Sequence, residues 1–514
     1  MKNSSRKNDK TYQLISLTGY VLFLYGIGVL LTLYVQDAYF DIMEAKASCF
    51  RFFMYILLPL FLLLIILKIK DHRFRIRNNL LLQSLIFLAL ISLISTLASY
   101  YPEYAFTGEI GWHVGSFCIG SLVLAVLAFE GEYIKEKKMY LPLLCIVLFE
   151  FVLIILGGTR MNLFSFRTLI QGEDYYSFYG TLGNCNWIVG YLSLFVPLFV
   201  CLYLKEENRL MKVFYYICCI TGLTASILNG ADGIYLAYLF GFFFLIPYLF
   251  QSLVNLRKTA LLATGFSIFL LIIKYCGLFD ERLRRMNGIG PYVFDASLIL
   301  LFLGVTVFLL LGKFSENDYA GNRKKIVLAA ETSVLCLSAI FAFLLFIRFG
   351  TELGNGRIEL WQFSIEKYLH VYNWKEKLLG IGPELLIDVY SEIEAGERVF
   401  ASSHSEAVQM LMSMGILGLL SWIMCWVSVF SSFFKTKAFN NGNAMVIFAS
   451  LFAYFGQSLV NSATTLNVCV LAVFVILLSQ SAEPERFSVT SSMKKKKRQE
   501  KKAMNFSVGQ KCDR

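Results

Sequence analysis

The sequence predicts an all-α fold: a polytopic membrane bundle of about 14 transmembrane helices, with about 12 as the lower bound, and one long extracytoplasmic loop containing short helices. Three observations carry this prediction. Hydrophobic residues fill 57% of the 514 positions, aromatic residues 16%, and there are only 8 prolines; the mean hydropathy is +0.62. Soluble domains seldom reach such values. The apolar residues fall in runs of about 20, the length a helix needs to cross a hydrocarbon core of about 30 Å. Backbone groups cannot stay unpaired in hydrocarbon, and the alternating pattern of a membrane barrel is absent, so the runs must be helical.

In chain order the runs lie near residues 12–36, 52–67, 79–99, 112–129, 140–157, 186–204, 213–229, 232–250, 259–276, 294–312, 326–347, 405–431, 443–460 and 464–480. The joints inside the pairs 213–229/232–250 and 443–460/464–480 are so short that they leave the division of those pairs open. The first run is too long for a cleaved signal peptide and reads as a retained span. Basic residues test the order. With both termini inside, the inner joints and tail hold 33 of the 47 Lys and Arg residues, at least two at every joint, as the positive-inside bias requires. Residues 1–482 thus read as one integral membrane domain and 483–514 as a basic cytoplasmic tail, expected to be disordered.

The net charge of +11 would suggest nucleic acid in a soluble chain. Here the cations follow the inner surface, including Lys494-Lys495-Lys496-Lys497-Arg498, where anionic lipid attracts them; a membrane and no nucleic acid is the expected partner. The 12 cysteines sit mostly within apolar runs and form no CxxC pair, so neither a disulfide framework nor a metal site is expected. There is no phosphate-binding GxxxxGK[ST] loop, no dinucleotide turn, no HExxH and no Asp-x-Asp pair at an outer span end. These absences argue against ATP-driven transport and a metal-dependent glycosyltransferase, and no cofactor is expected.

One polar excursion, residues 349–404, interrupts this pattern on the outer side. It opens with Gly354-Asn355-Gly356-Arg357-Ile358-Glu359-Leu360-Trp361, passes Leu379-Gly380-Ile381-Gly382, and closes with Ser403-His404-Ser405-Glu406. Ile358, Trp361, Ile365 and Leu369 fall at helical spacing, predicting an amphipathic helix over about 357–371. Pro383 is suited to start a second short helix through Val389.

Arg357 stands in the first turn of its helix, against the dipole, so a ligand or a structural acid must account for it. Its guanidinium can grip a phosphate with two prongs; a salt bridge to Glu352 or Glu359 is the alternative. His404 can take a proton from a hydroxyl near neutral pH, or it can serve as an interfacial cap. Arg282, Arg284 and Arg285 lie on the outer side against the basic bias, either as an anion platform or as ion pairs with Asp280 and Glu281. Asn184, Asn186 and Asp232 are polar residues at outer span ends, Asp232 in a tight joint where it could cap a turn. Glu150 stands near a span centre, a rare place for an acid.

Taken in order, Arg357-x-x-Leu360-Trp361, Leu379-Gly380-Ile381-Gly382, His404-Ser405-Glu406 and Gly415-Ile416-Leu417-Gly418 resemble the outer loop and following span of the O-antigen ligase and polymerase superfamily of bacterial envelope glycan enzymes. Gly180-Thr181-Leu182-Gly183-Asn184-Cys185-Asn186 is similar to that family's "GT-GN-N" segment. The resemblance covers about 180–430. It implies metal-independent glycosyl transfer at the outer face of the bacterial cytoplasmic membrane, from an undecaprenyl-pyrophosphate-linked oligosaccharide donor to a glycan, lipid or wall acceptor, with a flippase or chain-length regulator as candidate protein partner.

By carry-over, Arg357 would hold the pyrophosphate and His404 would deprotonate or orient the attacking hydroxyl. Asn184, Asn186, Trp361 and Glu406 would contact substrate. Two positions depart from the family: Ser405 replaces an Asn, and Asn229-Gly230-Ala231-Asp232 stands where a Ser-Arg pair is usual. The missing cation would then come from Arg282, Arg284 and Arg285 or from Arg160. A flippase or polysaccharide exporter is the rival reading; it predicts inverted repeats and charges deep in the spans.

Overall fold

The computed structural model describes residues 2–35, 42–71, 76, 79–108, 112–131, 137–159, 178–278, 289–349, 356–390, 402–438 and 442–481. The candidates Arg160, Arg282, Arg284 and Arg285, and the tail 483–514, lie outside these residues.

The described chain is almost entirely helical. Its apolar helices are α1 (Lys2–Phe23, prolonged by a π-helical stretch and a last turn to Leu33), α2 (Ile42–Lys70), α3 (Leu80–Ala98), α4 (Ser116–Phe129), α5 (Leu141–Gly158), α6 (Cys185–Lys205), α7 (Arg209–Leu228), α8 (Gly233–Leu249), α9 (Leu253–Tyr275), α10 (Ser297–Leu311) and α11 (Glu316–Phe349). After a long segment with only short helices among its described residues come α12 (Glu406–Thr436), α13 (Gly442–Ser458) and α14 (Thr465–Ser481). Each expected apolar run therefore carries a helix. Among the described residues, nine helices are long and apolar enough to cross a membrane, and four shorter apolar ones accompany them.

At the centre is α6, whose side chains from Ile188 to Cys201 are buried on every face; a helix apolar all round has no solvent side to present. It packs on α13, which in turn packs on α8. There the backbones come close because the facing residues are small: Gly241 lies against Ala449 and Ala453, with room for nothing larger, a packing mode that suits helices with no hydrophobic drive between them. At the periphery α10 and α11 leave Phe302, Leu309, Leu337 and Phe343 exposed, as side chains facing hydrocarbon would be.

Among its described residues, the segment between α11 and α12 contains three short helices, Arg357–His370, Trp374–Leu379 and Ile387–Tyr390. The first lies where the sequence predicts it but buries a different face. Leu360 and Ser364 are buried, while Ile365 and Leu369 are 46% and 53% exposed. The tyrosines decide this: Tyr390 Oη is bonded to Ser364 Oγ at 2.9 Å, and Leu360, Tyr372, Tyr390 and Met412 form one apolar cluster. Pro383 does not start a helix. It lies in a turn, and the second helix is instead Trp374–Leu379, begun by a capping box between Asn373 and Glu376 that satisfies the first free N–H groups reciprocally.

The two glycine motifs meet backbone to backbone. α12 breaks at Gly415, with φ 65° and ψ −164°, which frees the Ser413 carbonyl to accept Gly382 N–H at 2.9 Å and Ser95 Oγ at 3.2 Å. A Cβ on Gly380 would stand 2.1 Å from Ser413 O, and one on Gly415 would stand 2.5 Å from the Leu378 carbonyl. Only glycine permits both the positive φ and this approach. This segment is thus fastened to the bundle through a helix break.

Candidate functional site

The site is assembled at one end of the bundle from segments far apart in sequence. Asn184 caps α6 by accepting Asn186 N–H at 2.9 Å. The hairpin before it, strands Phe178–Tyr179 and Gly183–Asn184, is held from below. Thr181 donates its N–H and its hydroxyl to the two carboxylate oxygens of Glu150 at 3.1 and 2.5 Å. That contact accounts for the mid-span acid. Glu150 anchors the hairpin, and the hairpin sets where α6, and so Asn186, begins.

Arg357 reaches across to this point. Its Nη2 donates to Asn186 Oδ1 and to Asn461 Oδ1, both at 3.2 Å. No carboxylate pairs with it among the described residues; Glu359 is exposed, and Glu352 lies outside them. Nε and Nη1 make no hydrogen bond with the described protein, and neither is sealed from solvent. A guanidinium has five donors in a fixed fork. Here two amide oxygens orient one prong and leave the other available. Burial lowers the Arg357 pKa, opposed by Cys185 and Asp232.

His404 comes to the same place. Its loop is clamped on both sides: Trp361 Nε1 donates to Ser403 O at 2.9 Å, Ser403 N–H and Oγ donate to Gln409 Oε1, and Ser462 Oγ donates to Ser402 Oγ at 3.1 Å. Between these clamps His404 holds φ 48°, a left-handed conformation costly for a residue with a Cβ and often seen where function requires it. Burial, reinforced by the Arg357 charge, pushes the imidazole down to about 4. It is therefore neutral at pH 7.

The structure brings Arg357, His404, Asn186 and Trp361 together, with Asn184 as a helix cap and Trp361 as the clamp of the histidine loop. Glu406 is buried, with Oε1 accepting from Tyr454 Oη at 2.8 Å and Oε2 from Trp422 Nε1 at 3.1 Å. Both its oxygens are engaged inside the bundle. The sequence pattern missed Asn461, the second amide on Arg357. It lies in the short joint between α13 and α14, where the polar run Asn461-Ser462-Ala463-Thr464-Thr465 was the available signal.

Fold and site together define an all-helical membrane-type bundle with an arginine–histidine cluster at one end. No protein-family model matches the chain, and no curated protein matches it in sequence.

Proposed function

We propose that the chain is a multi-pass protein of the bacterial cytoplasmic membrane with 14 spans and both termini inside. On this reading it is a glycosyltransferase of the O-antigen ligase and polymerase type, and it polymerises or ligates undecaprenyl-pyrophosphate-linked glycans at the outer face. The observation that carries this reading is the half-satisfied guanidinium of Arg357 beside a neutral His404. A leaving pyrophosphate develops negative charge, and a fixed donor fork that needs no reorganisation is what stabilises such charge. A neutral imidazole next to it can orient or deprotonate a sugar hydroxyl. Asn186 and Asn461 hold the fork in place, and Trp361 holds the histidine loop.

The rival reading, a flippase or exporter, draws on the buried Lys46 and Glu150. Both are engaged locally, however. Lys46 Nζ donates to the Thr32 and Tyr34 carbonyls at 2.5 and 2.8 Å, and Glu150 holds Thr181. Surface-glycan length in cells carrying Arg357→Ala or His404→Ala at normal protein level tests the proposal. Loss of long glycan with lipid-linked units accumulating at the outer face is expected. Accumulation at the inner face would favour the flippase, and unchanged glycan from both variants would remove the enzyme reading.

A further inference from the structure

The turn between α7 and α8, Asn229-Gly230-Ala231-Asp232, is fastened beside both amides that hold Arg357. Asn229 Nδ2 donates to the Cys185 carbonyl at 2.9 Å, one residue from Asn186. On the other side Asn461 lies against Gly233, where a Cβ would stand 2.7 Å from Asn461 Nδ2. Asp232 is next to that contact. It stands at the cap position of α8 without capping it. Instead its Oδ1 accepts Ile289 N–H at 2.9 Å. Its Oδ2 has no partner among the described residues, and solvent reaches the side chain. The charge of Arg357 acts on both Asp232 and His404.

We propose that Asp232 is a further catalytic residue of the glycosyl transfer described above, its free Oδ2 accepting the proton of the attacking sugar hydroxyl while His404 orients that hydroxyl. The inference rests on the transferase reading. In the step, the acceptor oxygen forms a bond to the anomeric carbon of the donor. The bond from that carbon to the pyrophosphate oxygen breaks, and its electron pair leaves with the lipid pyrophosphate. The hydroxyl proton passes to Asp232. The two candidate bases differ in environment. His404 is held near 4 and is a weak base. Around Asp232 the crowded helix ends raise the carboxyl, against the lowering effects of Ile289 N–H and Arg357, which moves it toward the basicity a general base needs. The other titratable groups facing it are the Cys185 thiol and Tyr235.

The test compares Asp232→Asn, Asp232→Glu and Arg357→Ala in the full chain, by surface-glycan length in cells and by binding of inorganic pyrophosphate to purified protein in detergent. Asp232→Asn keeps an acceptor for Ile289 N–H. It is expected to slow elongation by about 100-fold or more while binding pyrophosphate at least as tightly, since a repelling charge is gone; Asp232→Glu is expected to recover part of the activity. Arg357→Ala is expected to lose both properties. Full-length glycan from Asp232→Asn with Arg357→Ala inactive would overturn the role of Asp232 and leave the transferase reading standing. Activity in both variants would overturn both. Loss of pyrophosphate binding in Asp232→Asn would overturn the inference in favour of a structural role.

Discussion

The molecule holds its cations in two opposite ways, at helix C-termini and at Arg357. Basic side chains close helix C-termini throughout the bundle, and Lys375 and Lys377 do so even beside Arg357's own helix, at the Ala98 and Leu369 carbonyls. Lys68 donates to the Leu127 and Glu130 carbonyls at the end of α4, at 3.2 and 2.5 Å. Lys258 donates to Leu204 O at the end of α6, at 2.5 Å. Arg257 donates through Nε and Nη2 to Leu311 O at the end of α10. Each cation meets the negative end of a helix dipole and the carbonyls that lack partners there. Arg357 instead stands at the N-terminus of its own short helix, where the dipole opposes it, and only neutral amide oxygens hold it. The first arrangement is complete as it stands. The second leaves Nε and Nη1 without a partner in the described protein, and this contrast is the reason to read the capping cations as scaffold and Arg357 as the candidate site.

Substitutions of the two kinds of cation should separate accordingly. The largest effect is expected from Arg357→Lys, which keeps the charge and loses the fork: turnover should fall by about 100-fold or more, measured as glycan length at matched protein level, with the thermal transition in detergent unchanged. Wild-type glycan from this variant would mean that charge alone suffices. Lys258→Met should do the reverse, costing about 1 kcal/mol of stability through the uncapped end of α6 and leaving glycan length as in the wild type. The smallest effect concerns pH. The folded His404 value of about 4 lies below the ordinary 6.5, so between these values the unfolded chain binds a proton that the folded chain refuses. The stability tied to neutral His404 is then complete above about 6.5 and is lost as pH falls towards about 4. His404→Gln should flatten this part of the transition temperature measured against pH; an identical slope in wild type and variant would place the imidazole in water.

Much of this was legible in order along the chain. Apolar run length gives the helices, because hydrocarbon leaves the backbone no partner but itself. The Gly-Asn-Gly start before Arg357 marks a helix beginning, and Gly380 and Gly415 mark close approach, though not that they approach each other. Which face Arg357–His370 buries was not legible, because Ile365 and Leu369 satisfy the helical period as well as Leu360 and Ser364 do. The tyrosines that choose between them come from Tyr372 and Tyr390, beyond the helix. The polar run at residues 461–465 marks a joint, but not that Asn461 is the residue in it that meets Arg357.

By itself, then, the sequence determined the all-helical class, the positions of the apolar helices, and Arg357 and His404 as the residues to watch, since periodicity and charge are properties of neighbours along the chain. Only the tertiary structure decided what Arg357 is bonded to, that Glu406 faces inward, and that the charge of Arg357 acts on Asp232. These depend on how α6, α8, α12 and α14 end against one another, and the two amide contacts of Arg357 join residues more than a hundred positions apart.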